Sequence, residues 1–279
     1  MNLSPASIGV ACVQPSVAPE QPLISIREVS KIYRSARGNV LALQDITLDV
    51  NAGEFVSILG PSGCGKSTLL KCVGGLTEIT AGAIEIGGTR VLQPPQNAGF
   101  VFQRDVLLDW RTVLENVLLP VEFKGLDKSK WAPRAHELLR TLGLENCDSR
   151  YPWELSGGMR QRVAICRGLL MDPALLLMDE PFGALDAITR DELNLELARI
   201  WEKSGKTVLF ITHSIIEAVF LSGRVVVMNK MPGPIAEVVQ IDLPRPRTLA
   251  DRETPQFVTY VRHLRSVFEK LGIMKRAMP

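Results

Sequence analysis

The sequence predicts an α/β fold built on a largely parallel sheet, and three observations carry that prediction. Short apolar runs alternate with segments of helical period through the second half of the chain. The run Glu54–Leu59 passes straight into a glycine-rich loop at Gly60, the pattern of a buried strand feeding a helix. Hydrophobic residues make up 46% and charged residues 22% of 279 residues, enough apolar material for a sizeable core.

Each element follows in order. Residues 1–22 hold four prolines and a single charged side chain, Glu20, and show neither helical nor strand period. They are expected to form a poorly ordered leader. Ile24, Ile26 and Glu28–Val29 read as a first strand and Leu41–Val50 as a second, closed by a turn at Asn51-Ala52-Gly53. Ala83–Ile86 and Ala98–Phe102 read as further short strands. From Thr112 to Arg167 the pattern turns helical, punctuated by Pro133 and Pro152. Strands at Leu175–Met178, Thr207–Ile211 and Val225–Met228 then alternate with helices over Ile188–Lys203 and from Ser214. The segment Leu243-Pro244-Arg245-Pro246-Arg247 breaks this alternation. Beyond it Phe257, Val258, Val261, Leu264, Val267, Phe268 and Leu271 recur at helical spacing, one amphipathic helix expected as a C-terminal extension over 244–279.

Charge and cysteine content narrow the function classes. Lys and Arg total 32 against 30 Asp and Glu, a net charge of +2. That balance argues against a protein that coats nucleic acid. No apolar run approaches the ~18 residues that would span a bilayer. Five cysteines without CxxC spacing fit free thiols in a reducing compartment.

Gly60-Pro61-Ser62-Gly63-Cys64-Gly65-Lys66-Ser67-Thr68 matches GxxxxGK[ST]. Glycines let backbone N–H groups converge on phosphate oxygens, and a helix beginning near Lys66 aims its positive end at them. Lys66 supplies a cation for the β- and γ-phosphates, and the Ser67 hydroxyl is suited to Mg²⁺. Cys64 reads either as a small tolerated side chain or as a thiol whose pKa is lowered near a helix N-terminus.

Leu175-Leu176-Leu177-Met178-Asp179-Glu180 is an apolar strand ending in two carboxylates. Asp179 then stands at the C-terminal edge of the sheet, where ligands bind, and suits Mg²⁺. Glu180, pointing elsewhere, is a candidate general base toward water. An ordinary acidic turn would read the same in isolation; its pairing with the phosphate loop favours the functional reading. In Leu155-Ser156-Gly157-Gly158-Met159-Arg160-Gln161-Arg162, Ser156 is a plausible N-cap, and Ser156, Gly157 and Gly158 form another anion-binding turn.

Taken in order, the loop, the LSGG segment and LLLMDE resemble the ATP-binding cassette proteins of ABC transporters, over about residues 23–243. The resemblance implies a P-loop NTPase fold with a RecA-like core, an antiparallel β subdomain and a helical subdomain over about 104–165. It implies two cassettes stacked head to tail, the phosphate loop of one copy facing the LSGG segment of the other, with ATP and Mg²⁺ between. It also implies roles. Tyr33 stacks on adenine, Gln103 reaches Mg²⁺ or water, Asp186 lies in the D-loop Gly183-Ala184-Leu185-Asp186, and His213 holds the γ-phosphate. His136 and His263 lack such context and read as surface residues.

The stretches Asp105–Val117, Pro181–Asp186 and Ile241–Arg247 resemble the nitrate/sulfonate/taurine importer branch, with Asp109 replacing a common proline. That implies an ATPase subunit powering uptake of a small solute. Its separate transmembrane permease would dock on Leu107, Leu108 and Trp110, and a solute-binding protein would act indirectly. The expected place is the cytoplasmic face of the inner membrane, held peripherally, with no nucleic-acid partner. The alternative is a soluble ABC ATPase of nucleic-acid repair or translation. Such proteins usually carry two cassettes or a long coiled-coil insertion, and this chain shows neither.

Overall fold

The computed structural model describes residues 21–36, 38–183 and 185–274. The expected leader falls almost wholly outside them, as does Ala184. Two sheets organise the chain. The first is antiparallel, in the order β2-β1-β4-β5, from β1 (Ile24–Ser35), β2 (Gly38–Val50), β4 (Ala81–Ile86) and β5 (Thr89–Arg90). Ile24 and Ile26 of β1 are buried at alternate positions, and Val29 is buried after a register shift, all packed with Leu43, Ile46 and Leu48 of β2.

The second sheet has the order β10-β9-β3-β8-β7-β6. Its strands are β3 (Phe55–Leu59), β6 (Ala98–Val101), β7 (Leu175–Asp179), β8 (Thr207–Thr212), β9 (Arg224–Met228) and β10 (Ile235–Gln240). All neighbours are parallel except β10, which runs antiparallel to β9. Strands β3, β7 and β8 are buried at every position, because helices cover one face and the first sheet, with the helix that follows Gly65, covers the other. That is why they read as unbroken apolar runs. β5 and β10 were not foreseen. β5 is two residues long, and β10 lies at a sheet edge, its exposed positions leaving Ile235, Val238 and Val239 without a clear alternation.

Helix α1 (Lys66–Val73) follows β3 directly. The block between β6 and β7 folds as α2 (Val113–Val117), α3 (Leu119–Phe123), α4 (Lys128–Thr141) and α5 (Gly157–Leu169). Thr112 caps α2 with a complete capping box to Glu115. Asn116 braces the preceding turn, its amide donating to the carbonyls of Leu108, Arg111 and Thr112. Pro133 does not interrupt α4 as expected. The helix runs through it, anchored by the Asp127 N-cap and by Ala135 and Leu139 buried on its inner face. Helices α6 (Ala187–Ser204) and α7 (Ile215–Leu221) complete the alternation.

The C-terminal helix α8 (Pro255–Lys270) is not a free-standing appendage. Phe257, Val261, Leu264, Val267 and Phe268 are buried in the same cluster as Phe220, Leu221 and Val225. Arg247, in the connecting segment, is buried, and its guanidinium donates to the carbonyls of Val219, Phe220, Ser222, Ile241 and Leu243. Each large apolar side chain buried this way contributes roughly 1.5–3 kcal/mol. A whole domain is stable by only about 5–15 kcal/mol. Truncation after Arg247 is therefore expected to yield insoluble or poorly folded protein. A soluble truncated chain with an unchanged melting temperature would contradict this packing.

Candidate nucleotide site

The phosphate loop joins β3 to α1 and lies at the C-terminal edge of the parallel sheet. Gly65 carries the tightest turn. Its φ is +105°, and a Cβ there would lie 2.5 Å from the Ala42 carbonyl oxygen. Only glycine fits, so β2 of the first sheet presses directly on the loop. Lys66 is 4% exposed. Its ammonium donates to the carbonyls of Gly60 at 2.9 Å and Pro61 at 3.0 Å, and stands 3.8 Å from Glu180 Oε1.

Beside it opens a cleft of about 390 Å³. Ser62, Gly63, Gly65, Lys66, Ser67 and Thr68 of the loop line it, together with Gln103 and Glu180. Tyr33, Val40, Ala42 and Met231 supply the rest of its lining, largely apolar. Tyr33 is 40% exposed, and Lys31 Nζ lies 5.0 Å from its ring centroid.

The two carboxylates of β7's end address different partners. Asp179 accepts a hydrogen bond from Ser67 Oγ at 2.8 Å. Its carboxyl is pushed above the usual range, chiefly by burial, with the Ser67 bond opposing. A buried carboxylate beside a hydroxyl is a donor set that fits a hard divalent cation. Glu180 has φ +42°, a left-handed conformation that costs a non-glycine residue about 1–3 kcal/mol. Its N–H donates to the Ile211 carbonyl and its carbonyl accepts from Gly183, which hold this turn. Glu180 Oε2 accepts from Gln103 Nε2 at 3.3 Å and lies 3.3 Å from His213 Nδ1. Gln103 follows β6, Asp179 ends β7 and His213 follows β8. Neighbouring parallel strands thus deliver these groups to one edge.

Cys64 resolves toward the plain reading. Its side chain is 1% exposed and its thiol pKa is raised, burial outweighing the nearby Lys66. It is a packing residue beneath the loop rather than an activated thiol.

Ser156, Gly157, Gly158 and Asp186 do not line this cleft. Ser156 caps α5, its Oγ accepting from the Met159 N–H. Asp186 caps α6, accepting from the Thr189 N–H at 3.0 Å, and those hydrogen bonds hold its carboxyl below the usual range. Arg190 links the Asp186 turn to the His213 turn, donating to the Leu185 carbonyl at 2.6 Å and lying 3.6 Å from buried Glu217. His136 and His263 are surface residues, each against a carboxylate, Asp148 at 3.0 Å and Glu237 at 2.6 Å. Met231 and the Arg190–Glu217 pair escaped the sequence reading, since no motif marks them.

A second, apolar groove of about 560 Å³ lies beyond Gln103. Phe100, Phe102, Val106, Leu108 and Phe123 line it, and Phe123 is 81% exposed. Leu107, expected at this surface, instead packs on the core, and Trp110 stands exposed outside the groove.

Residues 43–183 match the family described as ABC transporter. The chain is 44% identical over 241 residues to the aliphatic sulfonates import ATP-binding protein SsuB of Bacillus thuringiensis, covering 85% of this chain and 94% of that one. The chain belongs to the ABC transporter family. It is an ATP-binding cassette, and Lys66, Asp179 and Glu180 stand together at one edge of its parallel sheet. Another ABC transporter relative is the taurine import ATP-binding protein TauB of Escherichia coli K12, 41% identical over 249 residues, 87% of this chain and 97% of that one. Among solved ABC cassettes, a dimeric post-hydrolysis state bound to ADP and Pi superposes with a TM-score of 0.72 at 34% identity, covering 79% of this chain and all of that one. SsuB and TauB bear import names, and neither points to nucleic-acid repair or translation. Among the described residues no helix is long and apolar enough to cross a membrane.

Proposed function

We propose that this chain is the ATP-hydrolysing subunit of an importer for a small sulfonate-type solute such as taurine or an alkanesulfonate, with nitrate-like anions as the wider class. The observation that carries the ATPase reading is that Lys66, Ser67, Gln103 and Glu180 line one cleft, with Asp179 bonded to Ser67 and His213 set against Glu180. The import names of relatives that match most of the chain support the solute class.

Lys66 and the loop N–H groups of Gly60–Thr68 hold the phosphates, and Tyr33 stacks on the base. Ser67 and Asp179, with Gln103, would hold Mg²⁺, which when bound neutralises phosphate charge. Glu180 accepts the proton of the attacking water, Gln103 orients its carboxylate, and His213, beside that carboxylate, holds the γ-phosphate. Ser156, Gly157, Gly158 and Asp186 stand outside the cleft because they serve the nucleotide of a second copy packed head to tail. The dimeric cassette among the solved relatives supports that assembly. Residues 23–243 form the cassette proper, with about 104–165 as its helical part and 244–279 as a C-terminal extension.

The apolar groove beyond Gln103 receives the separate permease, Phe102, Leu108 and Phe123 supplying the contact. That seats the chain peripherally on the cytoplasmic face of the inner membrane. A solute-binding protein reaches it only through the permease.

Cells lacking this chain are expected to lose uptake of radiolabelled taurine or an alkanesulfonate. Wild type should restore uptake, and Glu180→Gln should not. Uptake that persists without the chain would overturn the importer reading.

A further inference from the structure

The loop between β9 and β10, Asn229–Pro234, belongs to no motif, yet it meets the nucleotide cleft and the phosphate loop. Met231 and Tyr33 both line the cleft, and Met231 is 53% exposed. An exposed thioether in a concave site that also holds an aromatic side chain suits a flat aromatic partner, since sulfur and aromatic rings attract one another. Two contacts fix the loop at that place. Gly233 lies so close to the phosphate loop that a Cβ would stand 2.2 Å from the Cys64 carbonyl oxygen. Lys230 Nζ donates to the Gly272 carbonyl at 2.6 Å, just beyond the C-terminal end of α8. The Asn229 N–H closes the loop on the Pro234 carbonyl at 3.0 Å.

We infer that Met231 is a nucleotide-binding residue that packs on the purine at the Tyr33 end of the cleft, and that the C-terminal helix sets nucleotide affinity by holding its loop through Lys230. The inference rests on the ATP site proposed above and extends it to the base. It gives the C-terminal helix a part in binding besides its part in the core. Met231 carries no group that transfers a proton, so its part is in binding and not in the proton step.

The test measures MgATP binding and steady-state hydrolysis on the full-length chain. Met231→Ala is expected to weaken ATP binding about three- to tenfold, the usual worth of a thioether–ring contact. KM should rise with it, and kcat should stay near wild type. Inorganic tripolyphosphate, which has no base, should compete equally well against wild type and variant. Lys230→Met removes the donor and keeps the chain length. It should weaken ATP binding less than Met231→Ala and add little to it in the double variant. Unchanged ATP affinity in Met231→Ala would overturn the base contact. Full additivity of Lys230→Met with Met231→Ala would overturn the link to the helix. Equal weakening for tripolyphosphate would show that the loop shapes the phosphate loop instead, and would also overturn the base contact. A wild-type chain that binds no ATP would overturn the underlying site, an outcome distinct from all of these.

Discussion

Glu180→Gln is expected to bind ATP with near wild-type affinity while its turnover falls by about 10²–10⁴, the usual share of a positioned general base. The amide is isosteric with the carboxylate and can still pair with Gln103 and His213, which lie 3.3 Å away on the same oxygen. Only basicity and charge are lost. The change also removes the anion 3.8 Å from the Lys66 ammonium, so affinity for the anionic nucleotide should hold or tighten. A fluorescent ATP analogue reads binding, and phosphate release reads turnover. Turnover near wild type would refute Glu180 as the base. A parallel loss of binding would show instead that Glu180 shapes the loop.

Lys66→Ala should act earlier, on binding. The ammonium is buried and now donates to two loop carbonyls, so it is already desolvated and aimed before any nucleotide arrives. Two charge-assisted contacts to phosphate, at roughly 1.5–3 kcal/mol each, translate into about 10²–10⁴-fold weaker ATP binding. Lys66→Arg should not restore it, because a planar guanidinium cannot take the place of a compact ammonium enclosed by the loop. A melting curve separates this from unfolding, and ATP binding within threefold of wild type in a folded Lys66→Ala chain would sink the phosphate-loop assignment.

Much of the central sheet was legible in the sequence. β3, β7 and β8 are buried on both faces, so their apolar runs are continuous and their ends abrupt. β10 was not, because an edge strand with exposed positions lacks that contrast. Pro133 misled in the other direction, since capping at Asp127 and inward packing of α4 outweigh a local breaker. α8 was read correctly as amphipathic, but amphipathicity names a buried face without naming what buries it.

The site divides along the same line. The residue order alone determined the phosphate loop, the paired carboxylates and the capped LSGG turn, because in each the chemistry is local. Glycine spacing, a cation one step beyond, and a strand running into acid are all written within a few residues. Tertiary structure alone decided which carboxylate faces Ser67 and which faces Gln103 and His213, that Cys64 is buried rather than activated, and that Met231 joins Tyr33 at one cleft. Those facts depend on which strands lie side by side and on how tightly distant loops press together. No spacing along the chain records either, since strand order in a sheet is set by burial of whole faces and not by neighbours in sequence.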